Sequence, residues 1–188
     1  MFITLPNFLT LLRILAVPVF AIAVWYGHQV EACVIFVAAG LTDMADGYIA
    51  RRFNQKSDLG AILDPAADKL LMTTAFLLLA FPLDRVVAVR IPAWVAILAI
   101  SRDVLISLVA LRASPRFDPT KFRPSILGKL TTASQLVAIS FGLLFNALGW
   151  RSWYHPLVSW IFYAVAVMVL ASGIHYFYRA TSHKMEVH

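Results

Sequence analysis

With 188 residues, 61% of them hydrophobic, and a mean hydropathy of +0.78, the chain is too apolar to be a soluble domain with a solvated surface. Its formal net charge of +6 is accounted for by membrane topology and attraction to anionic headgroups, so nucleic-acid binding need not be invoked. The one cysteine, Cys33, excludes a disulfide framework and a cysteine-based metal site, and is read as a small apolar packing residue.

Apolar runs separated by short charged or proline-containing stretches predict about six membrane-crossing helices, each near the roughly 20 residues a crossing needs. They fall near 7–26, 30–50, 61–81, 92–112, 127–148 and 154–178. None alternates as a membrane barrel strand does, and helices satisfy their own backbone in lipid, so the expected fold is all-α, a single six-helix bundle over residues 1–188. The first segment lacks a basic leader and is too long for a secretory signal, so it is expected to be retained. Pro18 should kink it, opening a lipid-facing groove. Tryptophans gather near span ends as an aromatic belt would, and no histidine pair has metal-ligand spacing.

An even number of crossings puts both termini on one side, and basic residues indicate which. Arg51, Arg52 and Lys56 follow the second span, Arg112, Arg116, Lys121 and Arg123 follow the fourth, and Arg179 and Lys184 lie in the tail. The opposite loops hold only Arg85, Arg90 and Arg151. The positive-inside rule makes the termini and both basic loops cytoplasmic, in a cell (inner) membrane.

Against this background the informative residues are charges at membrane depth. Asp43 and Asp46 fall near the cytoplasmic end of the second span, and Asp64 and Asp68 in the first turns of the third. Charges there are expensive and usually functional. Spacings of three and four place each pair on one helix face, and the short intervening loop brings the pairs together. Converging carboxylates need cations, and an all-oxygen donor set suits Mg²⁺ or Mn²⁺, two ions of which would clamp a diphosphate.

One alternative is that they form structural ion pairs, Asp46 with Arg51 or Asp68 with Lys69; others are an ion transporter and a silent membrane scaffold. Transport does not explain the interleaved Gly47 and Gly60, which permit close backbone approach to a base or phosphate, or Arg51, whose fork suits phosphate oxygens.

The stretch reads Asp43-x2-Asp46-Gly47-x2-Ala50-Arg51-x8-Gly60-x3-Asp64-x3-Asp68, which resembles the complete signature of the CDP-alcohol phosphotransferase family. The resemblance continues through Pro6-Asn7-x2-Thr10-x2-Arg13 and the Gly128-Lys129 step. It implies six transmembrane helices, a homodimer, a metal site near the cytoplasmic face, and displacement of CMP from CDP-diacylglycerol by an alcohol. Carried over by position, Asp43, Asp46 and Asp64 would be metal ligands, and Asp68 would touch metal while deprotonating the attacking hydroxyl. Gly47, Arg51 and Gly60 would contact the cytidine and diphosphate, with Asn7 and Thr10 closing the pocket.

The acceptor is sought in the second half. Arg102 and Lys129, with Arg123 ahead of Lys129, are expected to meet a phosphate on a glycerol-type acceptor. This region is similar to two branches of the family, one taking glycerol-3-phosphate to phosphatidylglycerophosphate, the other taking phosphatidylglycerol to cardiolipin. Asp103 and Thr131, where the first branch carries Glu and a second Lys, tilt toward cardiolipin. The prevalence of the first branch among bacterial enzymes pulls the other way, and glycerol-3-phosphate is placed ahead.

Overall fold

The computed structural model describes residues 5–52, 58–82, 87–113, 125–149 and 155–185. Within them every regular element is an α-helix: α1 (Leu5–Trp25), α2 (Gln29–Arg52), α3 (Asp58–Ala80), α4 (Ala93–Ala113), α5 (Ile126–Ala147) and α6 (His155–Met185). The expected spans coincide with these helices to within a few residues, except that α6 runs seven residues past the apolar segment's end at 178. Apolar character marks where lipid ends, whereas backbone hydrogen bonding continues a helix into water.

Local sequence explains the breaks. Gly27, at φ 78°, ends α1: its N–H bonds to the Val24 carbonyl at 3.1 Å, and that of His28 to Ala23 at 2.8 Å. This paired closure places the residue after the cap in the left-handed region, where glycine is unstrained. At the start of α5 the Ser125 side chain accepts from the Gly128 N–H at 3.0 Å, an N-cap. Asn146 fastens the segment before α4 to the end of α5, its amide exchanging bonds of 2.7 and 3.0 Å with the backbone of Val89.

Helix contacts run in a ring, α1 to α2, α5, α6, α4, α3 and back to α1. Inside it Phe20, Phe36, Phe76, Leu79, Leu143 and Phe162 form the apolar centre, all almost fully buried. The outside is no less apolar, with Leu15, Ile22, Val34, Trp160, Val167 and Ile174 exposed, while Thr10, Arg13, Arg102, Thr131, Gln135 and Ser172 are buried. Such a distribution suits lipid as solvent, where interior polar groups find partners in the bundle. Among the described residues, Phe8–Trp25, Ile126–Ala147 and Val158–Tyr176 are long and apolar enough to cross a membrane by length and composition.

Candidate active site

Thr10 and Arg13 sit three residues apart on α1, on the face packed against α2 and α3, and both are buried. Each reaches one of the acids singled out in the sequence. Arg13 binds Asp43 of α2 at 2.7 Å, and the Thr10 hydroxyl donates to Oδ1 of Asp64 on α3. The first helix therefore joins the two acidic pairs. Asp68 lies one turn beyond Asp64, partly buried, within electrostatic range of Asp43, Arg13, Asp103 and Lys69.

The structure thus brings Thr10, Asp43, Asp64 and Asp68 together and adds Arg13. Arg13 is the cation found on Asp43, and only its place in the motif, three residues after Thr10, pointed to it. Among the described residues neither Asp64 nor Asp68 has a cation within salt-bridge distance; the ion pairs there are Arg13–Asp43, His28–Glu31 and Arg102–Asp103. The pairing of Asp68 with Lys69 weighed above is absent among them, because the Lys69 ammonium donates instead to the Ser107 hydroxyl on α4.

Asp46, Gly47 and Arg51 lie in the last turns of α2, Gly60 in the first turn of α3 and Asn7 at the start of α1. The side chains of Asn7, Asp46 and Arg51, and the surroundings of Gly47 and Gly60, are outside the described residues, as is Arg123 entirely. Among the described residues no three His, Cys, Asp or Glu side chains are arranged to hold a metal ion. The donor chemistry nevertheless fits a hard divalent cation: partly buried carboxylates on α2 and α3, two of them without a paired base.

The acceptor-side residues separate. Arg102 is buried between α4, α5 and α6, bonding Asp103 and Ser172 at 2.7 Å each and the Gly128 carbonyl at 3.5 Å, with its guanidinium 5.8 Å from the Tyr176 ring centre. Lys129 is exposed on α5. The Tyr176 hydroxyl accepts from the Ser125 N–H at 3.3 Å and fills the space beside Gly128, where a Cβ would meet it at 2.8 Å. Gly128→Ala should therefore destabilise the protein by about 1–3 kcal/mol through overpacking. Thermal unfolding in detergent checks this, and adding Tyr176→Phe, which removes the closest atom, should recover part of the loss.

The fold defines an integral membrane protein of helical type, with an acidic cluster where α1, α2 and α3 meet. The family model for CDP-alcohol phosphatidyltransferase matches residues 3–173, and the chain belongs to that family. It is 33% identical over 175 residues to a CDP-diacylglycerol--glycerol-3-phosphate 3-phosphatidyltransferase of Haemophilus influenzae, covering 92% of this chain and 90% of that one. A Bacillus subtilis protein of the same description is 32% identical over 189 residues, with 92% and 93% covered. A cardiolipin synthase (CMP-forming)/mitochondrial hydrolase fusion protein of Schizosaccharomyces pombe is 36% identical over 188 residues, covering 92% of this chain and 30% of the fusion. The chain thus spans under a third of the fusion protein and about nine-tenths of the two bacterial relatives.

Proposed function

We propose that the protein transfers the phosphatidyl group of CDP-diacylglycerol to a glycerol-type acceptor, releasing CMP, in the synthesis of anionic phospholipids. The observation that carries this reading is the meeting of Asp43, Asp64 and Asp68 with Thr10 and Arg13, inside a chain whose family match spans nearly its whole length. Glycerol-3-phosphate is the acceptor placed first, giving phosphatidylglycerophosphate, and phosphatidylglycerol, giving cardiolipin, is second. The two bacterial relatives, matched along nearly all their length, carry the first activity in their names, while the fusion protein carries the second.

Asp43, Asp46, Asp64 and Asp68 would hold two divalent ions, Mg²⁺ or Mn²⁺, which when bound would neutralise the diphosphate oxygens and lower the pKa of the acceptor hydroxyl. Arg51, Gly47 and Gly60 would seat the cytidine diphosphate, with Asn7 and Thr10 closing the pocket from α1. Asp68 would take the hydroxyl proton as the acceptor oxygen bonds to the phosphatidyl phosphorus and the bond from that phosphorus to CMP breaks. On the acceptor side, Arg102 gives Nη1 and Nη2 to Asp103, Ser172 and Gly128 and would act by holding the start of α5, where Lys129 is exposed.

All six helices, of 21 residues or more, would cross the membrane as one domain, with termini and site on the cytoplasmic side of a cell membrane. The family resemblance further implies a homodimer. Chelation should stop CMP release, with excess Mg²⁺ or Mn²⁺ restoring it. Purified protein given CDP-diacylglycerol with each acceptor in turn, its lipid product read by mass spectrometry, tests the proposal. Phosphatidylglycerophosphate is the expected product; cardiolipin would reverse the order of the acceptors, and product from neither would refute the reading.

A further inference from the structure

If the acceptor carries a phosphate, a cation must meet it near Asp68, where its hydroxyl reacts. Arg102 is poorly placed to do so. Its Nη1 and Nη2 are given to Asp103 and Ser172, and handing those donors to a substrate would strand both partners in the bundle, leaving only the buried Nε, unpartnered among the described residues, to offer. Lys129 is exposed on α5.

Lys69 is placed differently. It follows Asp68 on α3, is partly buried, and acts electrostatically on that carboxylate. Five residues beyond Asp64, it projects about 140° around the helix from the face that α1 covers, toward α4. There its ammonium donates to the Ser107 hydroxyl, which donates in turn to the Asp103 carbonyl at 2.6 Å. One donor of an ammonium that carries three is thus occupied, by a neutral oxygen whose own bond into α4 survives without it. A lysine at this depth, not ion-paired with the acid beside it, is costly for mere packing.

We propose that Lys69 receives the anionic phosphate of the acceptor, exchanging Ser107 for phosphate oxygens and drawing the acceptor hydroxyl up to Asp68. The inference rests on the phosphatidyltransferase reading and deepens it by naming the group that recognises a glycerol-linked phosphate. Acids bound by α1 lie on one side of Asp68, and the Lys69–Ser107 step toward α4 lies on the other. The two substrates would approach from these two sides.

The test is steady-state kinetics on Lys69→Met, Lys69→Arg and Ser107→Ala, with glycerol-3-phosphate and phosphatidylglycerol as separate acceptors. Lys69→Met should raise the KM for glycerol-3-phosphate by about tenfold to a hundredfold, the worth of a charge-assisted contact. The KM for CDP-diacylglycerol should stay within about twofold, and Lys69→Arg should recover most of the loss. In the phosphatidylglycerol arm the rise should be smaller, because a phosphodiester carries one negative charge. Ser107→Ala removes the tie between α3 and α4 but leaves the cation, and should leave the acceptor KM within about threefold.

Equal losses in Lys69→Met and Ser107→Ala, a joint rise in both KM values, or an unchanged acceptor KM would overturn the proposal and make Lys69 a structural tie. Wild-type turnover reports separately on the underlying reaction: CMP release from neither acceptor would remove that reading and this inference with it.

Discussion

Asp68→Asn should lower CMP release by at least about a hundredfold, the contribution of a positioned general base, while the protein still binds CDP-diacylglycerol. The amide keeps the size of the side chain at this partly buried position on α3, so the helix and its contacts with α1 should persist. What it removes is the proton acceptor. Turnover and equilibrium binding of labelled CDP-diacylglycerol, measured on the same preparation, separate the two effects. Binding lost together with turnover would make Asp68 chiefly a metal ligand.

Asp43→Ala should lose both activity and stability, because it leaves the buried Arg13 guanidinium without the carboxylate that it binds at 2.7 Å. Breaking a fully buried pair costs about 3–5 kcal/mol; with the Asp43 side chain 43% exposed, a penalty of about 2–3 kcal/mol is expected here. In a chain of this size that lowers the midpoint of thermal unfolding by about 5–10 °C. Adding Arg13→Met should restore part of the stability and none of the activity, since it removes the buried charge that has lost the Asp43 carboxylate but not the need for the acid. A double variant as unstable as Asp43→Ala would show that Arg13 contributes chiefly through packing.

Much of this architecture was legible in the sequence because lipid imposes a simple rule. A segment facing hydrocarbon must be apolar and helical, so hydropathy located all six helices, and the charges that broke the rule located the acids. The same logic missed the last turns of α6, which no lipid constrains. It also pointed to the depth of Arg102 without revealing its partners: Ser172 lies 70 residues away, and that contact exists only once α4 and α6 pack. For Lys69 the sequence left a bond with its neighbour Asp68 only as an alternative, and helix geometry, which turns adjacent side chains about 100° apart, delivers Lys69 to Ser107 instead. Arg13 was visible as one member of a motif, but its pairing with Asp43 depends on how α1 lies between α2 and α3. The clamp of Asn146 on Val89 had no sequence signal, since an amide in an apolar run does not specify which backbone it will meet.

The measurement that tests the central claim most directly is CMP release from CDP-diacylglycerol by purified wild-type protein and Asp64→Asn, with and without Mg²⁺ and acceptor. The account predicts release that requires metal and acceptor together and that disappears in Asp64→Asn. Folded wild-type protein releasing no CMP with either glycerol-type acceptor, or Asp64→Asn releasing it at the wild-type rate, would contradict it.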